Sequence, residues 1–318
     1  MQTLSQFTIK AYTAAILAND RIVNAIIIYL ASLASFNALS FFPLILSPFV
    51  SLIPAYVAYI KKPEYGIITL AFMNILTTMY QSTVFGWFYL LLFSIVLFKV
   101  WTSWKEVAFL HIIVLMPFAV FPFSILGGFV YLAFFIGALH LGSFKAIALS
   151  LPSVVLILLL SSLWQIENNA YFPVSYKGLL TINLLERKEP VDILSFPKAF
   201  SQALSNTFDL TVLYELSTVF GIISNNLISI IIEQGGWLQI LYWIILLYIS
   251  AFYTGLYKDR EAELRAATFL FTIPLFYAIL SYLYKFPYKF ETIVYSLLSY
   301  AIILYLNKQG YVFSRERI

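Results

Sequence analysis

The fold is decided by residues 22–38, IVNAIIIYLASLASFNA, a run without a single charged side chain. A helix needs roughly 20 apolar residues to cross the hydrocarbon core of a bilayer, and this run is close to that length. It lies between Arg21 and the stretch Ser40–Pro43, and no small-residue cleavage pattern follows it. We therefore expect a retained membrane span rather than a removed signal peptide.

Nine further apolar runs of similar length fill most of the chain. Only 11% of the residues are charged and 62% are hydrophobic, against roughly 25% charged residues in a typical soluble domain. Such a chain needs lipid as its solvent. The sequence therefore predicts an all-α, polytopic transmembrane helix bundle of about ten spans in the cell membrane. The predicted spans are 22–38, 40–59, 65–80, 85–100, 106–121, 124–141, 146–165, 237–256, 266–284 and 288–306.

The basic residues between the spans indicate the orientation of this bundle. Cytoplasmic loops of membrane proteins carry an excess of Lys and Arg, so correctly placed spans leave alternate gaps with different basic content. Of the 19 basic residues, 13 fall in the gaps of one side. We expect this side, together with both chain termini, to be cytoplasmic. Its basic residues are Lys10, Arg21, Lys61, Lys62, Lys99, Lys105, Lys145, Lys258, Arg260, Arg265, Lys308, Arg315 and Arg317.

One gap, residues 166–236, is long enough to form a structure outside the membrane. It separates a seven-span half, residues 1–165, from a three-span part with a short basic cytoplasmic tail, residues 237–318. The alternation of sides places this long loop on the extracytoplasmic face. We expect it to contain amphipathic helices.

The clearest of these helices is predicted to open at Pro197. Proline is favoured in the first turn of a helix because its missing N–H has no partner there. Phe200, Leu204 and Phe208 then recur at helical spacing. A helix with one apolar stripe outside the predicted spans is expected to lie on the membrane surface or against a partner protein.

Residues 210–232 form an apolar run that is long enough to be an eleventh span. Such a span would bury Glu215 and the pair Asn225–Asn226, and one carboxylate costs about 2.5 to 3.5 kcal/mol at the bilayer centre on insertion scales. It would also move Lys258 and the basic residues after it to the outside. We therefore expect an external amphipathic or re-entrant helix instead.

The sequence contains no motif with catalytic chemistry. A Gly-rich phosphate loop, an H-E-x-x-H zinc motif and a G-x-S-x-G nucleophile elbow are all missing. With no cysteine, thiolate nucleophiles, thiolate zinc sites and iron–sulfur clusters are excluded. The basic residues are too scattered for nucleic-acid recognition. We expect no catalytic residue and no metal ligand; the enzymatic alternative is a transferase that uses external carboxylates such as Glu186 and Asp192.

The two histidines, His111 and His140, are the only candidate haem ligands. They fall in consecutive predicted spans near the same cytoplasmic end. In an antiparallel pair of helices, however, the residue level with His111 is about residue 134, which leaves the histidines offset by roughly 9 Å at 1.5 Å per residue. This geometry favours ordinary hydrogen bonding between helices over bis-histidine haem ligation.

Helix-breaking residues support a second functional hypothesis, a secondary transporter or permease for a small neutral or hydrophobic solute. Pro43, Pro48 and Pro54 gather in the second predicted span, and Gly127–Gly128 opens the sixth. Transporters use broken helices to build binding sites. Polar residues inside the spans, such as Asn74, are expected to form hydrogen bonds between helices.

The whole chain resembles the hydrophobic membrane component of the cytochrome b558/566 complex, a family found in thermoacidophilic archaea. The resemblance rests on its length, ten predicted spans, lack of cysteine, richness in Ile and Tyr, basic cytoplasmic turns and one long external loop. It implies a non-catalytic subunit of an archaeal respiratory or related electron-transfer complex. The haem is then expected in the partner, an exported b-type cytochrome, and not in this chain. The resemblance thus implies a hetero-oligomer in which the 167–235 region is the docking surface.

Overall fold

The computed structural model describes residues 2–120, 122–123, 188–211 and 290–309, with scattered positions between 129 and 160 and between 221 and 282. Throughout this part of the chain the regular secondary structure is helical and contains no strand, which confirms the predicted all-α class. The predicted spans between residues 124 and 284, and with them His140, lie largely outside the described residues.

The continuous described ranges contain six α-helices with defined bounds and one short 3₁₀ turn. The 3₁₀ turn, Met116–Phe118, follows directly on α4. The helix α1 begins at Gln2 rather than at residue 22, so the first predicted span is the C-terminal half of a longer helix. The helices are α1 (Gln2–Leu39), α2 (Ser47–Ile60), α3 (Pro63–Gln81), α4 (Thr83–Leu115), α5 (Phe196–Thr207) and α6 (Phe290–Gln309).

The second predicted span, residues 40–59, starts later than expected, and α2 begins only at Ser47. Two features of the backbone end α1 and delay the start of α2. Ser40 adopts a left-handed backbone conformation with φ 53°, which stops α1, and Pro43 lacks the N–H that a helix interior needs. The residues between them pack inward, with Phe41 fully buried.

The helix α4 folds back on itself at Ser103, whose backbone is not helical (φ −134°, ψ 29°). Tyr89 Oη and His111 Nε2 lie 2.9 Å apart, whereas a straight helix would separate residues 22 positions apart by about 33 Å. The two arms correspond to the separate spans predicted at 85–100 and 106–121. The predicted gap between these spans is a sharp kink and not a loop.

Consecutive helices pack side by side as antiparallel hairpins. Near the start of α2, Ser47 Oγ donates to Asn37 Oδ1 of α1 at 3.1 Å. The turn between α2 and α3 is so tight that a Cβ on Gly66 would lie 2.7 Å from Ala58 Cβ and 2.8 Å from the Pro54 carbonyl oxygen. Glycine at this position is therefore required for the close approach of the two helices.

This topology gives the bundle two chemically different ends. One end, here called the basic end, contains the turn at Lys61–Lys62 and the kink at Ser103. The opposite end, here called the capped end, contains the last residues of α1 and α3, the first residues of α2 and α4, and residues 188–211. The Gln81 side chain at the end of α3 reaches the Leu39 carbonyl at the end of α1, so α1 and α3 run in the same direction.

The side chains of α2 are distributed in the opposite way to those of a helix in a soluble protein. It buries the small residues Ser47, Ser51, Ala55 and Ala58. Its large apolar residues are exposed, which is typical of helices that pack through small residues and face lipid. In water this arrangement is unfavourable, because burial of large apolar side chains is the main driving force for folding. The exposed side chains are Phe49, Leu52, Ile53, Tyr56, Tyr59 and Ile60.

Within the described ranges, one helix segment, Asp20–Leu39, is both long and apolar enough to cross a membrane. Three further apolar helix segments, Ser47–Ile60, Thr83–Ser94 and Ile293–Tyr305, are shorter than that test requires. A buried core helix of a soluble protein and a signal sequence meet the same test.

Candidate functional site at the capped end of the bundle

The C-terminal end of α3 is capped by side chains from residues far away in the sequence. The last carbonyl groups of any helix have no partner within the helix. In α3 the Met79 carbonyl accepts a hydrogen bond from Asn206 Nδ2 at 2.8 Å, and the Tyr80 carbonyl accepts one from Lys188 Nζ at 2.5 Å. The long loop thus supplies the partners that α3 lacks.

Lys188 is the charged member of this cap. Its ammonium group lies at the negative end of the α3 dipole, where a cation is favoured, and 4.5 Å from the centre of the Tyr80 ring. Its backbone N–H also donates to Gln81 Oε1 at 2.8 Å. Burial of the ammonium group lowers the pKa of Lys188. The cation is therefore held by helix carbonyl and aromatic groups.

Gln81 joins three parts of the chain through one side-chain amide. Its Nε2 donates to the Leu39 carbonyl at the end of α1, while its Oε1 accepts from the Lys188 backbone. The side chain is buried, with 4% of its surface exposed. Because both ends of the amide are used, no other residue type of similar size reproduces these contacts.

A backbone hydrogen bond and apolar contacts attach the start of the cap to the bundle. The Val191 N–H donates to the Ser40 carbonyl at 3.2 Å, and the Val191 side chain is buried. The Phe196 ring lies 5.5 Å from the Phe41 ring and 5.8 Å from the Phe42 ring. These distances are typical of attractive aromatic pairs. The segment between α1 and α2 therefore also packs against the start of α5.

The helix predicted to open at Pro197 is confirmed as α5, which runs from Phe196 to Thr207. Its C-terminal end is attached to α4, because Trp87 Nε1 donates to the Asp209 carbonyl at 3.1 Å. The Asp209 side chain accepts hydrogen bonds from Thr211 Oγ1 at 2.5 Å and from the Thr211 backbone at 3.1 Å. These bonds lower the pKa of Asp209 and fix the turn that ends the cap.

The surface of α5 has three flanks. Ala199 and Ala203 are buried against the bundle. A second flank is apolar and exposed, and consists of Phe200, Leu204 and Phe208. A third flank is polar and exposed, and consists of Lys198, Gln202 and Ser205. The turn before α5 also exposes apolar residues, since Leu194 is 95% exposed and Ile193 is 54% exposed.

A second polar cluster lies inside the bundle and contains His111. Asn74 Nδ2 donates to Tyr89 Oη at 3.2 Å, and Tyr89 Oη lies 2.9 Å from His111 Nε2. His111 Nδ1 is 2.8 Å from the Val107 carbonyl. A carbonyl only accepts, so Nδ1 carries the proton and Nε2 accepts from the Tyr89 hydroxyl. Asn74 Oδ1 is buried and has no hydrogen-bond partner among the described residues.

His111 lies deeper in the bundle than the sequence analysis placed it. It is level with Asn74 near the middle of α3, about 12 Å along the helix from the kink at Ser103 at 1.5 Å per residue. The reason is the fold-back of α4, which pairs His111 with Tyr89. Both ring nitrogens make hydrogen bonds within the bundle. The other candidate haem ligand, His140, lies outside the described residues.

Most residues of both clusters were not predicted as site residues. Lys188, Gln81, Asn206 and Tyr89 are among them. Their one signal in the sequence is polarity next to apolar helices. Among the described residues, no group of three or more His, Asp or Glu side chains is arranged to hold a metal ion.

Comparison with protein-family models, with curated proteins and with solved structures gives no match for this chain.

Proposed function

We propose that this chain is a non-catalytic, integral membrane subunit of about ten spans that anchors an exported b-type cytochrome in an archaeal electron-transfer complex. Both termini are cytoplasmic in this proposal, and the capped end faces the exterior. The haem belongs to the partner protein. The family resemblance supports the partner's identity, and the surface of the described helices supports the membrane and docking parts.

The inverted surface of α2 supports the membrane placement. Phe49 is 66% exposed and Tyr56 is 64% exposed, while Ser47 and Ser51 on the other face are fully buried. Each fully exposed Leu or Phe side chain forgoes about 1.5 to 3 kcal/mol of burial in water. In a bilayer this cost disappears, because lipid tails are as apolar as the exposed side chains.

The separation of the two ends supports the orientation. The turn at Lys61–Lys62 and the kink beside Lys105 lie at the basic end, whereas residues 188–211 lie at the capped end. The positive-inside rule then assigns the basic end to the cytoplasm. The long loop then lies on the exterior, which is the side where an exported protein binds.

The observation that carries the docking proposal is the combination of rigidity and apolar exposure in residues 188–195. Lys188 and Val191 are fixed to the bundle, yet Leu194, three residues further on, is almost fully exposed. A fixed, protruding apolar side chain has the properties of an interface anchor. We therefore assign the turn at Ile193–Leu194 to partner docking.

Purification of the native complex from membranes, with identification of its components and a visible spectrum, tests this proposal. The expected result is co-purification with a b-type haem protein, and a separated chain without haem absorbance. Leu194→Asp is expected to reduce co-purification about tenfold or more, since hot-spot contacts contribute about 1 to 2 kcal/mol or more. Ser205→Asp, on the polar flank of α5, is the matched control and leaves co-purification unchanged. A complex that contains no haem protein would refute the proposal.

A second candidate, a permease for a small neutral solute, is favoured by one observation. The Asn74–Tyr89–His111 cluster is a polar site in the middle of an apolar bundle, and within the described part of the chain Asn74 Oδ1 has no partner. The helix α2 also contains Pro54 in its interior. Solute uptake into liposomes that is abolished by Asn74→Leu or by Pro48→Ala supports this candidate. Uptake equal to that of empty liposomes removes it.

A further inference from the structure

We infer that α5 lies in the outer lipid–water interface and that acyl chains cover its apolar flank of Phe200, Leu204 and Phe208. The proposed function assigns only the turn at Ile193–Leu194 to a partner, and this inference assigns the apolar flank of α5 to lipid. The inference rests on the membrane placement in that proposal. It leaves the turn at Ile193–Leu194 as the part of the cap available to a protein partner.

The flanks of α5 are segregated as in helices that lie in a membrane interface. At 100° per residue, Phe200, Leu204 and Phe208 form one stripe, and Lys198, Gln202 and Ser205 lie on the far side of it. The stripe is exposed along its full length, from 42% at Phe200 to 76% at Phe208. An interfacial helix needs one apolar flank toward the acyl chains and one polar flank toward water. With its third flank on the bundle, α5 has both.

Two contacts fix the depth of α5 at the boundary of the bundle. Asn206 bonds to the Met79 carbonyl in the last turn of α3. Trp87, near the beginning of α4, donates to the Asp209 carbonyl. The C-terminal half of α5 is therefore level with the end of α3 and the beginning of α4. Tryptophan favours the headgroup layer of a membrane, because its ring is apolar and its N–H is polar.

The apolar flank continues into the lipid-facing surface of α4. Phe208 and Leu210 lie on either side of Asp209, whose carbonyl contacts Trp87. One helical turn beyond Trp87, Leu91 is 41% exposed. No polar residue interrupts α4 between Trp87 and Leu91 except the partly buried Tyr89. A single occupant, the acyl layer, accounts for exposure on both helices.

A protein partner fits the apolar flank less well than lipid. Stable protein interfaces cover about 800 Å² on each partner, whereas this flank is a stripe one side chain wide. It is bordered on one side by polar side chains and on the other by the bundle. Lipid requires no wider surface, because acyl chains adapt to the stripe.

The absence of cysteine from the chain permits a direct test with single nitroxide labels. Leu204→Cys reports on the apolar flank and Gln202→Cys on the polar flank. Phe49→Cys, on the exposed face of α2, is the control for membrane placement. Each full-length variant is reconstituted into liposomes, and collision of the label with oxygen, which concentrates in lipid, is compared with collision with a water-soluble nickel chelate.

The inference predicts oxygen-dominated collisions at Leu204→Cys and Phe49→Cys, and nickel-dominated collisions at Gln202→Cys. A Leu204 label as open to nickel as the Gln202 label would overturn it in favour of water. A Leu204 label shielded from both reagents would overturn it in favour of protein contact. Phe208→Cys repeats the measurement if Leu204→Cys does not fold. A Phe49 label open to nickel would instead contradict the membrane placement, and the two failures are therefore distinguishable.

Discussion

The two ends of the helix bundle connect their helices in opposite ways. At the basic end, the backbone groups of the turn between α2 and α3 form hydrogen bonds with near neighbours in the sequence. The Lys61 N–H donates to the Val57 carbonyl, and the Tyr65 N–H donates to the Lys62 carbonyl. At the capped end, the last carbonyls of α3 accept hydrogen bonds from Lys188 and Asn206, which are more than 100 positions away in the sequence. The basic end is therefore defined by local sequence, and the capped end by long-range contacts.

This difference has a functional meaning in the proposed complex. A local turn needs no other part of the chain, so the basic end is a simple connection. The capped end uses Gln81, Lys188 and Asn206 to hold a segment that otherwise has few buried side chains. Holding such a segment rigidly reduces the entropy that partner binding must overcome. Substitutions at the two ends separate these roles.

The largest effect is expected from Gln81→Leu at the capped end. It leaves the Leu39 carbonyl and the Lys188 N–H without partners, and each buried unpaired group costs about 1 to 3 kcal/mol. The expected loss in the free energy of unfolding is about 2 to 6 kcal/mol. Denaturant titration in detergent measures it. The exposed control Gln202→Leu should change stability by less than about 0.5 kcal/mol; equal losses for both variants would contradict the cap.

A smaller effect is expected from Gly66→Ala near the basic end. The added methyl group meets Ala58 Cβ and the Pro54 carbonyl oxygen at less than 3 Å, and overpacking costs about 1 to 3 kcal/mol. Gly221→Ala is the matched control, because no atom of the described residues lies within 4 Å of a Cβ placed there. Thermal unfolding of the two variants gives the comparison. A Gly66→Ala protein as stable as the wild type would show that the helices are not in close contact.

Tyr89→Phe tests the polar cluster that lies inside the bundle between the two ends. It removes the partner of His111 Nε2 and of Asn74 Nδ2, and we expect a loss of about 1 to 2 kcal/mol, because Tyr89 is only partly buried. Tyr56→Phe is the control, since Tyr56 is exposed on α2. Equal stability of the two variants in denaturant titration would contradict the fold-back of α4.

The smallest effect concerns the protonation of Lys188. Burial lowers its pKa in the folded state, so the unfolded chain binds more protons between that pKa and the ordinary value of 10.5. Stability should therefore rise with pH across this alkaline range. Lys188→Met should lack that increment when both proteins are compared by denaturant titration at several pH values. Identical pH profiles would place Lys188 in water.

Periodicity and turn residues predicted the helices but not the contacts between them. The apolar runs gave α3 and the two arms of α4, and Pro197 with the Phe200 stripe gave α5. The prediction missed the late start of α2, because hydropathy alone encodes neither the left-handed conformation of Ser40 nor the inward packing of Phe41.

The candidate sites were harder to predict, because they depend on register. Gln81, Lys188 and Asn206 meet only after α3 ends at one particular residue and the long loop returns to it. Tyr89 and His111 meet only because Ser103 reverses the chain. A single sequence shows which residues are polar, and the three-dimensional fold determines which of them are partners.

The central claim is that the basic end and the capped end lie on opposite sides of a membrane. Lys61→Cys and Ser205→Cys place one thiol at each end of a chain without other cysteines, and both positions are exposed. In intact cells, a membrane-impermeant maleimide should label Ser205→Cys, which lies away from the docking turn, and should label Lys61→Cys only after lysis. Labelling of both thiols from the outside, or of neither before lysis, would contradict the account.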